Sequence, residues 1–77
     1  SEDISASEQG DEMMLMGLRL SEGVSLARHA RIAGRPIADA RIAALVADGL
    51  LSCDGDIIRA TGEGRMVLDA VLARLLA

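Results

Sequence analysis

The sequence predicts a mainly α domain carrying one small β-hairpin, with elements in the order α-α-α-β-β-α. Three observations carry that prediction. Asp54-Gly55 separates two short apolar runs, 50–53 and 56–60, and Asp-Gly favours a two-residue hairpin turn because both residues tolerate positive φ. Beyond the hairpin, Gly64, Val67, Leu68, Val71, Leu72 and Leu75 recur at the spacing of one helix face, with Arg65, Asp69 and Arg74 outside it. Ahead of it, Ser21-Glu22-Gly23 and Gly34-Arg35-Pro36 cut the N-terminal half into three helical lengths.

In chain order, residues 1–8 (SEDISASE) are acidic and serine-rich, with Ile4 as their large apolar residue. They bury too little to offset ordering and are expected to form a flexible tail or linker remnant, leaving 9–77 as the domain. The first helix begins near Ser7 to Asp11. Met13, Met14, Leu15, Met16, Leu18 and Leu20 circle most of its axis, leaving Glu12 and Arg19 as the polar edge, so this helix wants neighbours on two sides. Ser25 caps a short second helix, LARHARIA, with Leu26, His29, Ala30 and Ala33 on one side and Arg28 and Arg31 on the other. Gly34 ends it, and Arg35-Pro36 forces an extended step.

The third helix spans about Ile37 to Asp48, with Ala38, Ile42, Leu45 and Val46 inward and Arg41, Ala44 and Asp48 outward. Gly49 follows as its C′ residue. Counting out from an Asp54-Gly55 turn pairs Leu51 with Ile58, Cys53 with Asp56 and Leu50 with Arg59, with the Leu51/Ile58 face inward. Thr61 then caps one long helix ending at Leu76, with Glu63 in its first turn. Three helices, a two-stranded wing and a last helix make a winged-helix-like arrangement.

Composition narrows the function. Seventy-seven residues make a single domain with a small core. Eleven Leu, six Ile, four Val, four Met and thirteen Ala supply it without any aromatic residue, which disfavours ligands that stack on aromatic platforms. Small-molecule catalysis is not expected either. Eight Arg and no Lys against twelve acidic residues give a net charge of −4, which repels a phosphate backbone, so no nucleic-acid partner is expected. One Cys offers no disulfide framework, no apolar run is long enough for a membrane span, and the acidic N-terminus has no signal-peptide pattern. A cytoplasmic location is expected. The chain begins at Ser1 rather than Met, as a piece of a longer protein would.

No catalytic, cofactor-binding or metal-binding residue is identified. Cys53 has no second Cys and no neighbouring His, so it is read as structural or incidental. His29 shares a side with Leu26 and Ala33 and is read as a packed core residue rather than a ligand. Glu2/Asp3, Asp11/Glu12 and Asp54/Asp56 lie in a tail, a helix start and a turn, where solvated or capping carboxylates belong. The third helix stands where a winged-helix protein carries its recognition helix, but Asp39 and Asp48 accompany Arg41 there. The Met13, Met14 and Met16 cluster is either a soft docking surface or core filler. Part of Met13, Leu15, Met16 and Leu20 is expected to stay uncovered as a candidate docking surface. The isolated chain would then expose that surface or self-associate weakly through it as a homodimer.

Three segments carry a family resemblance: GLRL-x-EG at Gly17 to Gly23, DGLL at Asp48 to Leu51, and T-x-x-GR-x-VL at Thr61 to Leu68. In that order and spacing, residues 11 to 76 resemble the C-terminal domain of the oxygen-independent coproporphyrinogen III oxidase-like proteins, a radical S-adenosylmethionine family with a haem-chaperone branch. His29 stands where the family prefers a bulky aromatic, and Asp69 where Asn is common; in the haem-chaperone branch the resemblance offers haem ligation as the alternative role of His29. The resemblance implies a 4Fe-4S cluster on a three-cysteine motif and an S-adenosylmethionine pocket in an upstream barrel domain of the parent protein, and no such residue in this chain. It implies an accessory domain beside that barrel, covering or shaping a porphyrin or haem site. The parent would be an oxidase of porphyrin biosynthesis or a haem chaperone, and we lean to the chaperone. The alternative is a free-standing winged-helix regulator or protein-interaction module.

Overall fold

A computed structural model describes residues 5–77. The elements are α1 (Ala6–Arg19), β1 (Val24–Ser25), α2 (Leu26–Ala33), α3 (Asp39–Ala47), β2 (Leu51–Asp54), β3 (Ile57–Ala60), α4 (Gly62–Met66) and α5 (Leu68–Leu76). The mainly α fold with its small hairpin is the predicted one, with departures in detail.

The first helix starts earlier than expected. Ser5 Oγ accepts the Glu8 N–H at 3.1 Å, and the Glu8 carboxylate accepts the Ser5 N–H at 3.1 Å. This capping box satisfies two donors that a helix start leaves open. Within the tail expected over 1–8, Ser5 to Glu8 are therefore a cap and a first turn, and residues 1–4 lie outside the described residues.

The sheet has three antiparallel strands in the order β1-β3-β2, not two. Val24 pairs with Ile58 and Ser25 with Ile57. A two-residue strand has no periodicity of its own; β3 supplies its pairing partner.

The hairpin turn sits one residue later than expected. Asp54 pairs with Ile57, Cys53 with Ile58, Ser52 with Arg59 and Leu51 with Ala60, so Gly55-Asp56 is the loop. Gly55 has φ +62°, while Asp56 stays at negative φ, the pattern of a type II′ turn with glycine first. Asp56 is held by α2: its Oδ1 accepts the Ala27 N–H at 3.0 Å, its Oδ2 accepts the Ser25 hydroxyl, and its carbonyl accepts the Leu26 N–H at 2.8 Å. A carboxylate at a helix N-terminus is favoured electrostatically, and this anchor places the turn. Moving a turn by one residue changes each cross-strand partner by two, so Leu51 and Ile58 keep the same face, and both are buried.

The last helix is two helices. Val67 breaks the run with φ −126° and ψ 41°, its N–H bonding the Gly64 carbonyl at 3.2 Å. Two glycines among five residues weaken α4 as a helix, and the break lets Gly64 and Val71 each pack against a different neighbour. Val67 consequently leaves the apolar stripe and faces solvent.

The core is wholly aliphatic: Met14 and Leu18 from α1, Val24, Ile42 and Leu45, Leu51, Ile58 and Ala60 from the sheet, and Val71 and Leu75 from α5. Helix α3 buries Ile42 and Leu45 and packs chiefly against β2 and α5. Ala38 and Val46, expected inward, are exposed.

Candidate functional site

The three resemblance segments meet around the hairpin. Thr61 Oγ1 accepts the Gly64 N–H at 3.0 Å as the cap of α4 and donates to the Gly49 carbonyl at 2.7 Å, while the Thr61 N–H bonds the Leu50 carbonyl at 3.1 Å. A Cβ built on Gly64 would overlap that same Leu50 carbonyl oxygen, so the glycine lets α4 lie directly on the Asp48–Leu51 turn. Gly49 makes the turn at φ +78°. On the other side of the hairpin, a Cβ on Gly17 would overlap Val24 Cγ2, and the Arg59 guanidinium donates from Nε to the Ser21 carbonyl at 2.9 Å. These motifs position backbone against backbone. Their glycines and the Thr61 hydroxyl are used within the fold.

His29 lies at the α1/α2 crossing, 3% exposed, and neither ring nitrogen has a hydrogen-bond partner among the described residues. A Cβ on Gly10 would meet Ala33 Cβ at 2.5 Å and His29 Nε2 at 3.1 Å, so the helices close over the ring because position 10 has no side chain. Burial lowers the His29 pKa from the ordinary imidazole value; the Asp11 carboxylate and the nearby Gly10 backbone pull weakly the other way. The ring borders a cavity of about 160 Å³ whose wall also includes Asp11, Arg35 and Arg41. Because both nitrogens are closed off from that space, His29 behaves here as a packed residue rather than an open ligand.

Cys53 is exposed, and its thiol reaches only the Gly55 carbonyl, at 3.6 Å. Among the described residues no group of three or more His, Cys, Asp or Glu side chains could hold a metal ion, so this chain's own donors do not fit an iron-sulfur cluster. No helix among the described residues is long and apolar enough to cross a membrane. Arg41, the cation of the helix in recognition-helix position, donates to the Arg74 carbonyl at 3.1 Å, and Arg74 pairs with Asp48 at 2.8 Å.

The four residues of the candidate docking surface divide. Met13 and Leu15 are half-buried, Met13 against the core, while Met16 and Leu20 are 57% and 53% exposed. The sequence reading missed the most exposed large apolar residue among the described residues, Met66 at 85%, and its neighbour Val67 at 44%. Both line an open groove of about 540 Å³ between α1 and the α4–α5 elbow, with Leu15 and Arg19 on one wall and Arg65 and Leu68 on the other. On the helix, Met16 and Leu20 follow Leu15 and Arg19 by one residue, about 100° further round, and do not line this groove.

The comparisons with known proteins agree on one family. The HemN C-terminal domain family matches residues 4–67. The chain is 37% identical over 75 residues to proteins named heme chaperone HemW from two strains of Mycobacterium tuberculosis, CDC 1551 / Oshkosh and ATCC 25618 / H37Rv. Each match covers 97% of this chain and 18% of the relative, so the chain spans about a fifth of the length of the curated relatives it matches. No solved structure matches it. Matched by the family over most of its length and related to these chaperones across nearly all of it, the chain belongs to the HemN C-terminal domain family.

Proposed function

We propose that this chain is the C-terminal accessory domain of a radical S-adenosylmethionine protein that delivers haem. The observation that carries the proposal is the 37% identity to proteins named haem chaperones along 97% of this chain. Family membership implies a 4Fe-4S cluster and S-adenosylmethionine in an upstream barrel of the parent, and a donor set here of a single exposed thiol is compatible with their lying outside this chain. The role of this domain is to cover or shape the haem site from outside, with the turn after α3 tied to the start of α4 through Thr61 and with apolar side chains of α1 and α4 left exposed for contact. Contiguous exposed apolar surface on a small domain marks a contact site.

The test uses the parent polypeptide, reconstituted anaerobically. Haem is added and its transfer to an apo-acceptor followed by the Soret band, and coproporphyrinogen III with S-adenosylmethionine is assayed separately by chromatography of the porphyrin products. Delivery predicts haem transfer without decarboxylated product. Turnover of coproporphyrinogen III would place the parent with the oxidases instead.

A further inference from the structure

His29 is the one buried polar or charged side chain among the described residues, and neither ring nitrogen has a hydrogen-bond partner there. A neutral imidazole is disfavoured in such a site, and an imidazolium far more, since protonation adds a second N–H donor and a full charge where no partner waits. The part of α1 laid over the ring has little else to hold it. From Ser5 to Glu12 the one buried residue is Gly10, whereas Met14 and Leu18 further along the helix sit in the core. Gly10 is also the point of closest approach, because a Cβ there would run into Ala33 Cβ and His29 Nε2. The first turns of α1 therefore close on α2 through a contact centred on a titratable ring.

The charges around that ring come from several elements. Asp11 on α1 favours the imidazolium, while Arg35, after α2, and Arg41 on α3 line the cavity beside the ring and oppose it. Helix α5 brings Leu75 and Leu76 to this wall and no charged side chain; Glu8 and Glu12 line a separate groove toward Leu72. On α2 itself Arg28 and Arg31 are exposed. Burial outweighs the pull of Asp11, and the ring holds its proton less readily than an ordinary imidazole.

We infer that the α1/α2 crossing is a proton-gated latch: protonation of His29 releases the start of α1, Ala6 to Glu12, from α2, while Met14 and Leu18 keep the rest of the helix on the core. The open state takes up the proton near the ordinary value of about 6.5 and the closed state only below it, so the latch is shut above that pH and loosens as pH falls through it. With the closed ring unprotonated throughout, the opening equilibrium rises about tenfold between pH 7.5 and 5.5.

The experiment is amide hydrogen exchange of the full parent followed by mass spectrometry at pH 7.5 and 5.5, with rates corrected for intrinsic exchange, for the wild type and His29→Leu. The amides of Gln9 to Glu12, the first of which bonds the Ser5 carbonyl at 2.9 Å, are expected to be less protected than those of Met14 to Leu18 at pH 5.5. Their protection should be about tenfold lower than at pH 7.5, and His29→Leu should abolish that fall. Equal protection of the two segments at pH 5.5 would overturn the inference, since α1 would then open as one unit. An unchanged wild type would overturn it too, as would a fall of the same size in His29→Leu, which would assign the effect to carboxylates. Exchange of the imidazole C2 hydrogen in the wild type needs no substitution and reads the ring directly. A His29 midpoint below 6.5 is expected, and an ordinary midpoint would overturn the latch.

Discussion

Thr61 and Gly49 are joined by a hydrogen bond of 2.7 Å from the threonine hydroxyl to the glycine carbonyl, and the same hydroxyl accepts the Gly64 N–H. One oxygen therefore caps α4 and closes the turn after α3. Thr61→Ala removes both bonds and is expected to destabilise the chain by about 1–2 kcal/mol. Thr61→Ser keeps both and should fall within about 0.5 kcal/mol of the wild type. Urea unfolding followed by circular dichroism separates the two, and equal losses would show that the methyl group matters more than the hydroxyl.

Two glycines of α4 should behave oppositely. Gly64 faces the Leu50 backbone, which cannot rotate away, whereas a Cβ at Gly62 meets open space. Gly64→Ala is expected to cost about 1–3 kcal/mol as overpacking against main chain. Gly62→Ala should stabilise by up to about 1 kcal/mol by restricting the unfolded chain. Thermal melts of the two variants are expected to shift to opposite sides of the wild type.

His29 makes stability depend on pH. Its folded pKa is lowered, chiefly by burial, so the unfolded chain binds the proton more readily. Stability is then complete above the unfolded value of about 6.5 and is lost as pH falls through that value toward the folded pKa. His29→Leu removes two buried polar atoms without partners, and is expected to gain about 1 kcal/mol at neutral pH and to flatten this component of the acid dependence. Urea midpoints at pH 7.5 and 5.5 measure both effects; an equal acid loss in the variant would assign the dependence to the carboxylates.

Asp56 ties the hairpin tip to the start of α2 through Ser25 and Ala27. Asp56→Ala is expected to cost about 1–2 kcal/mol. Combined with Ser25→Ala, the loss should be smaller than the sum of the single variants, because the two side chains share one interaction. Strict additivity in the double-mutant cycle would deny that coupling.

Most of the architecture was legible because its signals are local. Ser25, Gly34, Gly49 and Thr61 stop and start helices where propensity places them. The details that escaped depend on distant partners. The turn position follows from Asp56 meeting α2, the third strand from β3 pairing with Val24, and the α4–α5 break from Gly64 meeting Leu50. Apolar periodicity runs through Val67 unbroken, so only the paired glycines hint that the helix divides there. For the same reason the surface read along α1 was incomplete: Met16 and Leu20 follow from one helix, but the exposure of Met66 depends on how α4 ends at Val67. His29 was read on its buried side, and its missing hydrogen bonds required the neighbouring Gly10 crossing to be seen.

The central claim is that this chain acts as the accessory domain of a haem-delivering parent. It is tested most directly by comparing the full parent with a version lacking residues 5–77, each assayed for bound iron and sulfide and for the rate of haem transfer to an apo-acceptor. The account predicts that the shortened protein keeps its cluster, whose ligands lie upstream, and transfers haem markedly more slowly. Equal transfer rates, or loss of the cluster with residues 5–77, would contradict it.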